Sequence, residues 1–107
     1  MSLPTEQDAE RALNYLAETD EPYAKAYAAK DAFKERIKLA KAKVFLESRA
    51  NTVKEREAEA ESSEEVASYV DDWENAVADW KLMDNKRKRA ELTIDVWRSV
   101  NASRRRN

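Results

Sequence analysis

The residue types that most often perform catalysis are missing from this chain. Its 107 residues include no His and no Cys, which removes the commonest general base, the soft metal ligands and the most easily activated nucleophile. There is also no Gly, and phosphate-cradling loops and dinucleotide fingerprints need backbone conformations that only Gly adopts at low cost. We therefore expect no enzymatic activity, no cofactor and no small-molecule substrate.

Carboxylates are the remaining groups that could hold a metal or transfer a proton. Glu64-Glu65 and Asp71-Asp72 are adjacent acidic pairs. A di-iron bundle needs Glu-x-x-His pairs and a calcium loop needs its Gly, and neither pattern occurs. We interpret these acids as solvated helix faces and predict no metal site.

Basic side chains near the C-terminus are candidates for binding nucleic acid. These are Lys86, Lys88, Arg89, Arg98, Arg104, Arg105 and Arg106. On a helix the four consecutive positions 86–89 point around more than one turn, so only some of them can face one phosphate backbone. The alternative is that these cations pair with the acidic N-terminal segment or with an acidic block of a second copy.

The net charge of −2 conceals four blocks of alternating sign. Residues 1–24 carry −5, residues 25–49 carry +5, residues 50–79 carry −8 and residues 80–107 carry +6. Opposite blocks that lie side by side orient helices or subunits, whereas unmatched blocks attract external partners. The sequence leaves both interpretations open.

One apolar stripe must position these charges. Its members recur in steps of three or four, which is the spacing of one helix face: Val66, Tyr69, Trp73, Ala76, Trp80, Met83, Arg87, Ala90, Ile94, Trp97 and Asn101. We predict that Tyr69, Trp73, Trp80, Met83, Ile94 and Trp97 form the core or an oligomer interface. A single helix pair has too little interior for three Trp, so we expect a homodimer.

Arg87 is the one charged residue in this stripe. We expect its methylenes to pack while its guanidinium reaches water, in which case Arg87→Leu would raise the melting temperature modestly. A carboxylate that met the guanidinium would instead fix the register or orientation of the helices.

Helix signals predict an all-α fold, with a short N-terminal helix and a long antiparallel, coiled-coil-like helical hairpin that forms a bundle on dimerisation. Ala, Glu, Lys, Leu and Arg make up 59 of the 107 residues, a composition typical of long helices. We expect a single domain, 1–107, with a short helix at 6–18, a long helix at 21–50, an acidic connection at 51–62, a long helix at 63–101 and a mobile basic tail at 102–107. The break between the first two helices is predicted at Thr19-Asp20-Glu21-Pro22, because Asp20 is a good N-cap and Pro22 suits a first helical turn. A second, Ala-rich stripe runs from Tyr23 to Val44.

The compartment follows from the same composition. The absence of Cys fits a reducing environment, and no apolar run is long enough for a membrane span or a signal-peptide core. We expect a soluble, cytoplasmic protein with no membrane partner.

Three stretches resemble a known group of proteins. Leu13-Asn14-Tyr15-Leu16-Ala17-Glu18-Thr19-Asp20, Thr52-Val53-Lys54-Glu55-Arg56-Glu57-Ala58 and Glu91-Leu92-Thr93-Ile94-Asp95-Val96-Trp97-Arg98-Ser99 are similar to small helical proteins of tailed phages and prophages. The resemblance covers nearly the whole chain. It implies a location in the host cytoplasm and, because such proteins are often encoded near recombination or replication genes, a partner that is DNA or a phage DNA-processing protein. It supplies no catalytic residues.

Two functions therefore remain open. The first is a non-enzymatic, phage-type accessory interaction module that acts with DNA or with a recombination or replication complex. The second is a structural or assembly protein that binds another protein through its helix faces and never contacts nucleic acid.

Overall fold

The computed structural model describes residues 2–106, with side chains for residues 2–105, and these residues form three helices. Helix α1 spans Glu6–Glu47, α2 spans Val53–Ser62 and α3 spans Glu64–Arg106. No strand occurs in residues 2–106. The expectation of an all-α fold built on two long helices is confirmed.

The break predicted at Thr19–Pro22 is absent, because α1 continues through Pro22. Proline lacks an N–H and crowds the carbonyl four residues earlier, so it normally ends or kinks a helix. In the two turns before Pro22, Thr19 Oγ1 donates to the Tyr15 carbonyl of the same helix at 2.7 Å and Arg87 Nη1 of α3 donates to the Leu16 carbonyl at 2.9 Å. The Arg87 contact ties this part of α1 to α3, which favours continuation of the helix.

The helix ends agree with the capping signals in part. Thr5 and Asp8 exchange hydrogen bonds at the start of α1, from Thr5 N to Asp8 Oδ2 at 2.8 Å and from Asp8 N to Thr5 Oγ1 at 3.2 Å. Thr52 is the N-cap of α2 and accepts from the Glu55 backbone N–H, as its capping pattern predicts. The spacing of Ser62 and Glu65 predicts a second capping box. This prediction is wrong, since Ser62 is the last residue of α2 and its hydroxyl donates to the Ala58 carbonyl at 2.9 Å.

The predicted basic tail is helical through Arg106. Residues 102–106 contain no Gly or Pro, and Ala and Arg are good helix formers, so nothing in this segment ends the helix. The side chain of Arg106 and the whole of Asn107 lie outside the described residues.

The chain divides into two compact units. Unit 1 combines the residues up to Lys25 with those from Lys81 onward, and unit 2 is Ala26–Trp80. Within unit 1, Leu16 lies beside Arg87 while Ala12 packs with Ala90 and Ile94, so the two helix segments run antiparallel. Within unit 2, Tyr27 meets Trp80 and Lys43 meets Glu65, which gives the same antiparallel arrangement.

The interior of each unit consists mostly of small side chains. The buried apolar residues are Ala9, Ala12, Ala90 and Ile94 in unit 1, and Ala40, Ala60 and Val66 in unit 2. Small residues allow helices to approach closely, but they remove little apolar area from water. No large side chain among the described residues is completely buried.

Each unit brings together charge blocks of opposite sign. The acidic block 1–24 and all but the first residue of the basic block 80–107 belong to unit 1, whereas most of the basic block 25–49 lies in unit 2 with the acidic block 50–79. Only two ion pairs within 4 Å join different helices in residues 2–105, Arg87–Asp20 at 3.6 Å and Lys43–Glu65 at 3.9 Å. The complementarity therefore acts mainly through the summed field of each block.

Candidate interaction surface of unit 1

The predicted aromatic stripe lies on the inner side of α3. Ile94 is buried, and the other five predicted interface residues are half-buried: Tyr69, Trp73, Trp80, Met83 and Trp97. In unit 2 the rings of Tyr27 and Trp80 meet edge to face at 5.8 Å, and Lys30 Nζ lies 4.0 Å from the Tyr27 ring centroid and 5.0 Å from that of Trp80. The stripe therefore packs against the same chain, whatever further partner it has.

The large exposed apolar side chains lie elsewhere, at positions the stripe does not include. They are Leu3, Leu13, Tyr27, Leu39, Leu46, Val53, Leu82 and Leu92. The sequence shows Tyr27, Leu39 and Leu46 beside the second stripe, but its periodicity does not single out Leu3 or Leu92.

Leu3 and Leu92 flank a groove between the two helix segments of unit 1. This unit 1 groove has a volume of about 750 Å³, within the roughly 300–1,000 Å³ typical of binding clefts. Its apolar lining is Leu3, Pro4, Ala12, Tyr15, Ala90, Leu92 and Val96. Leu3 and Leu92 are 60% and 61% exposed, so the apolar surface is open to a partner.

Basic side chains line both sides of the unit 1 groove. Arg11 lies on α1, where it pairs at 2.7 Å with Asp8, which also lines the groove, and Lys86 and Arg89 lie on α3. Within the described residues no carboxylate lies within 4 Å of the Lys86 or Arg89 cation. The groove therefore joins an apolar floor to a cationic rim.

A second, smaller cavity of about 230 Å³ shares Leu3 and Pro4 with the unit 1 groove. Trp97, Val100 and Arg104 line it from α3. Its lining is mostly polar, and Glu6 lies in the same cavity as Arg104, so it adds no net charge to the surface.

The seven candidate nucleic-acid-binding residues do not form one patch. Lys88 pairs with Asp84 at 2.8 Å, and the side chain of Arg106 is outside the described residues. Lys86, Arg89, Arg98, Arg104 and Arg105 are exposed. Lys86 and Arg104 are separated by 18 residues, or five turns, and share a face, whereas Arg98 lies about 120° around the helix from Lys86.

Arg87 binds α1 instead of reaching water, so the expectation that its head is solvated is wrong. Its side chain is 15% exposed, donates to the Leu16 carbonyl at 2.9 Å and to Thr19 Oγ1 at 2.7 Å, and lies 3.6 Å from Asp20. Its guanidinium carbon is 4.9 Å from the Tyr23 ring centroid. A planar five-donor head can satisfy such a set of acceptors at once.

Asp84 is the buried polar residue of unit 1. It is 7% exposed, accepts a hydrogen bond from Tyr23 Oη at 2.8 Å, and lies 2.8 Å from Lys88 Nζ and 3.6 Å from Lys81 Nζ. The hydrogen bond from Lys88, and then that from Tyr23, hold the pKa of Asp84 below its usual range. Asp84 in turn raises the pKa of Lys88. Sequence periodicity gives no sign of this network, because Asp84 lies next to the stripe and its partners come from two helices.

Residues 2–106 contain no group of three or more metal-binding side chains that could hold an ion. None of the described helices is both long and apolar enough to cross a bilayer. No protein-family model, curated protein or solved structure matches this chain.

Arg87→Leu should lower the free energy of unfolding by about 1.5–3 kcal/mol, the usual loss for hydrogen bonds to a charged group. The exposed Arg98→Leu on the same helix is the control and should change it by less than about 0.5 kcal/mol. Urea unfolding followed by circular dichroism measures both. Equal effects of the two substitutions would contradict a structural role for the Arg87 contacts.

The pKa of Asp84 should rise in Lys88→Gln and, to a smaller extent, in Tyr23→Phe, because each removes one of its charge-stabilising partners. Titration of the carboxyl carbon by NMR measures the pKa, and an unchanged value in both variants would contradict the network. A lowered native pKa stabilises the fold above the unfolded value of about 3.9, and this contribution is lost as the pH falls through the native pKa. The stability difference between wild type and Asp84→Asn should therefore diminish from about pH 5 downward.

Proposed function

We propose that this chain is a non-enzymatic interaction module that binds another protein through its helix faces. The observation that carries the proposal is the unit 1 groove, where exposed Leu3 and Leu92 stand over a floor containing Ala12 and Ala90. Exposed leucines that flank a concave apolar surface are characteristic of protein docking sites. Nucleic-acid backbones offer phosphates, which gain nothing from an apolar floor.

The small amount of buried apolar surface gives independent support to the proposed protein-binding function. Five of the seven buried apolar side chains are Ala, while eight large apolar side chains are about half exposed or more. Stability increases with the apolar area removed from water. Much of the large apolar surface of this chain is still exposed, so a bound partner could bury it.

The homodimer belongs to the same proposal. A second copy would cover exposed side chains such as Leu39 and Leu46 of unit 2, which are 69% and 76% exposed. Sedimentation equilibrium should then give twice the 12.4 kDa of one chain, and Leu39→Lys with Leu46→Lys should shift the equilibrium toward the monomer. A monomer at high micromolar concentration would rule out this part of the proposal.

Binding to nucleic acid is the second candidate, favoured by the exposed cations of α3. Because Lys86 and Arg104 lie on one face and Arg98 on another, a duplex would meet roughly two or three of these residues at a time. The slope of log K against log salt would then be about −2 to −3. The likeness to phage helical proteins supports an accessory role in either case.

One comparison separates the two candidates. Fluorescence anisotropy with labelled duplex and single-stranded DNA at 50 mM salt should show no binding if the module acts on protein alone. Capture of partners from host or phage-infected extracts should survive nuclease treatment and should be lost with Leu92→Lys, while the matched surface variant Leu82→Lys retains it. Salt-dependent DNA binding that Arg98→Glu and Arg104→Glu abolish would replace the protein proposal with the nucleic-acid one.

A further inference from the structure

Resting on the proposed function, we infer that the unit 1 groove binds an acidic amphipathic helix of a partner protein. The groove offers an apolar floor and cations on both sides, and the complementary ligand has one apolar stripe flanked by carboxylates. The inference thus specifies both the chemistry of the partner and the site where it binds.

The shape of the groove floor indicates that the partner has an apolar helix face. Ala12 and Ala90 are 8% exposed and carry single methyl groups, so they leave room for a third helix to approach, while Leu3 and Leu92 rise on the flanks. Along α3 the groove runs from Lys86 to Val96, a separation of ten residues that corresponds to roughly 15 Å of helix. That length suits a peptide helix of about three turns, whose apolar residues at i, i+3 or i+4, and i+7 form one stripe.

The basic residues on the rim of the groove indicate that the partner carries carboxylates. Lys86 and Arg89 lie one turn apart on α3, and no ion pair within the described residues engages them. Arg11 faces the groove from α1 and pairs with Asp8, which lines the same groove. This pair uses the Nη2 group of Arg11, and the guanidinium has further N–H donors for a ligand carboxylate. Carboxylates on both flanks of an apolar stripe would meet these cations and would fix the orientation of the bound helix.

The same rim disfavours the other occupants. A second copy that paired its own groove with this one across a two-fold axis would bring Lys86 and Arg89 close to their own equivalents, and like charges brought together cost affinity. A flat bilayer surface cannot fill a concave floor, because interfacial binding needs an apolar face that protrudes into the lipid. These two occupants are outcomes of the experiment below.

The test selects peptides of about 16 residues from a random displayed library on the immobilised full-length protein. Binders should carry Leu, Ile or Phe at helical spacing with Asp and Glu between them, and they should not bind Leu92→Lys. Enriched sequences that are basic, or that lack helical spacing, would overturn the inference.

The affinity of the best selected peptide then locates the site. Leu92→Lys, and the double variant Lys86→Glu with Arg89→Glu, should each weaken binding at least about tenfold, because both change the proposed contacts. The matched controls Val53→Lys and Lys34→Glu, at exposed positions of unit 2, should stay within about twofold. Far-ultraviolet circular dichroism shows whether each variant is folded, and amide shifts of isotopically labelled protein should change at the groove residues.

Three results would overturn the inference in different ways. If binding of the selected peptides required Leu39 and not Leu92, the chain would still be a protein-binding module, but its binding site would lie in unit 2. A wild-type dimer that Leu92→Lys converts to monomer would assign the groove to a second copy. Binding to phosphatidylglycerol vesicles that Leu92→Lys abolishes, with no peptide selected, would assign it to a membrane surface, and failure of every protein and peptide to bind would remove the proposed function as well.

Discussion

The contact of Arg87 with α1 is the interaction on which the arrangement of unit 1 depends. Pro22 removes one backbone donor from α1 and strains the turn before it, yet the helix continues through this position. Arg87 supplies donors to the Leu16 carbonyl and to Thr19 from the opposite helix. A single side chain therefore joins α1 to α3 in the two turns that precede the proline.

This contact also fixes which residues of the two helices lie opposite one another. With Arg87 beside Leu16 and Thr19, the antiparallel run places Ala12 against Ala90 and Ile94. That register brings Leu92 and Val96 to the groove that Leu3 and Tyr15 line from the other chain segment. A shift by one helical turn would separate these residues, so the groove is a consequence of the polar contact as well as of the apolar stripe.

Periodicity predicted the inner faces of the helices well, because burial follows from spacing along one helix. Residues from Val66 to Asn101 in the main stripe are all buried or half-buried, and so are the members of the second stripe from Tyr23 to Val44. The break at Pro22 was wrong because local helix signals contain no information about a donor from a residue 71 positions away in the sequence. The groove could not be predicted either, since it requires knowing which turn of α1 faces which turn of α3.

The positions of the charges bear on function in the same way. Lys88 and Arg87 come from the run of four cations that makes nucleic acid an attractive partner, but both are engaged by residues of unit 1. The tertiary structure thus divides the run: the two middle members, Arg87 and Lys88, hold the fold, and the two outer members, Lys86 and Arg89, line the groove. Two cations on the rim of an apolar floor select for a ligand that combines carboxylates with apolar side chains. At the proposed docking surface, charge would therefore determine specificity and the exposed leucines would supply affinity.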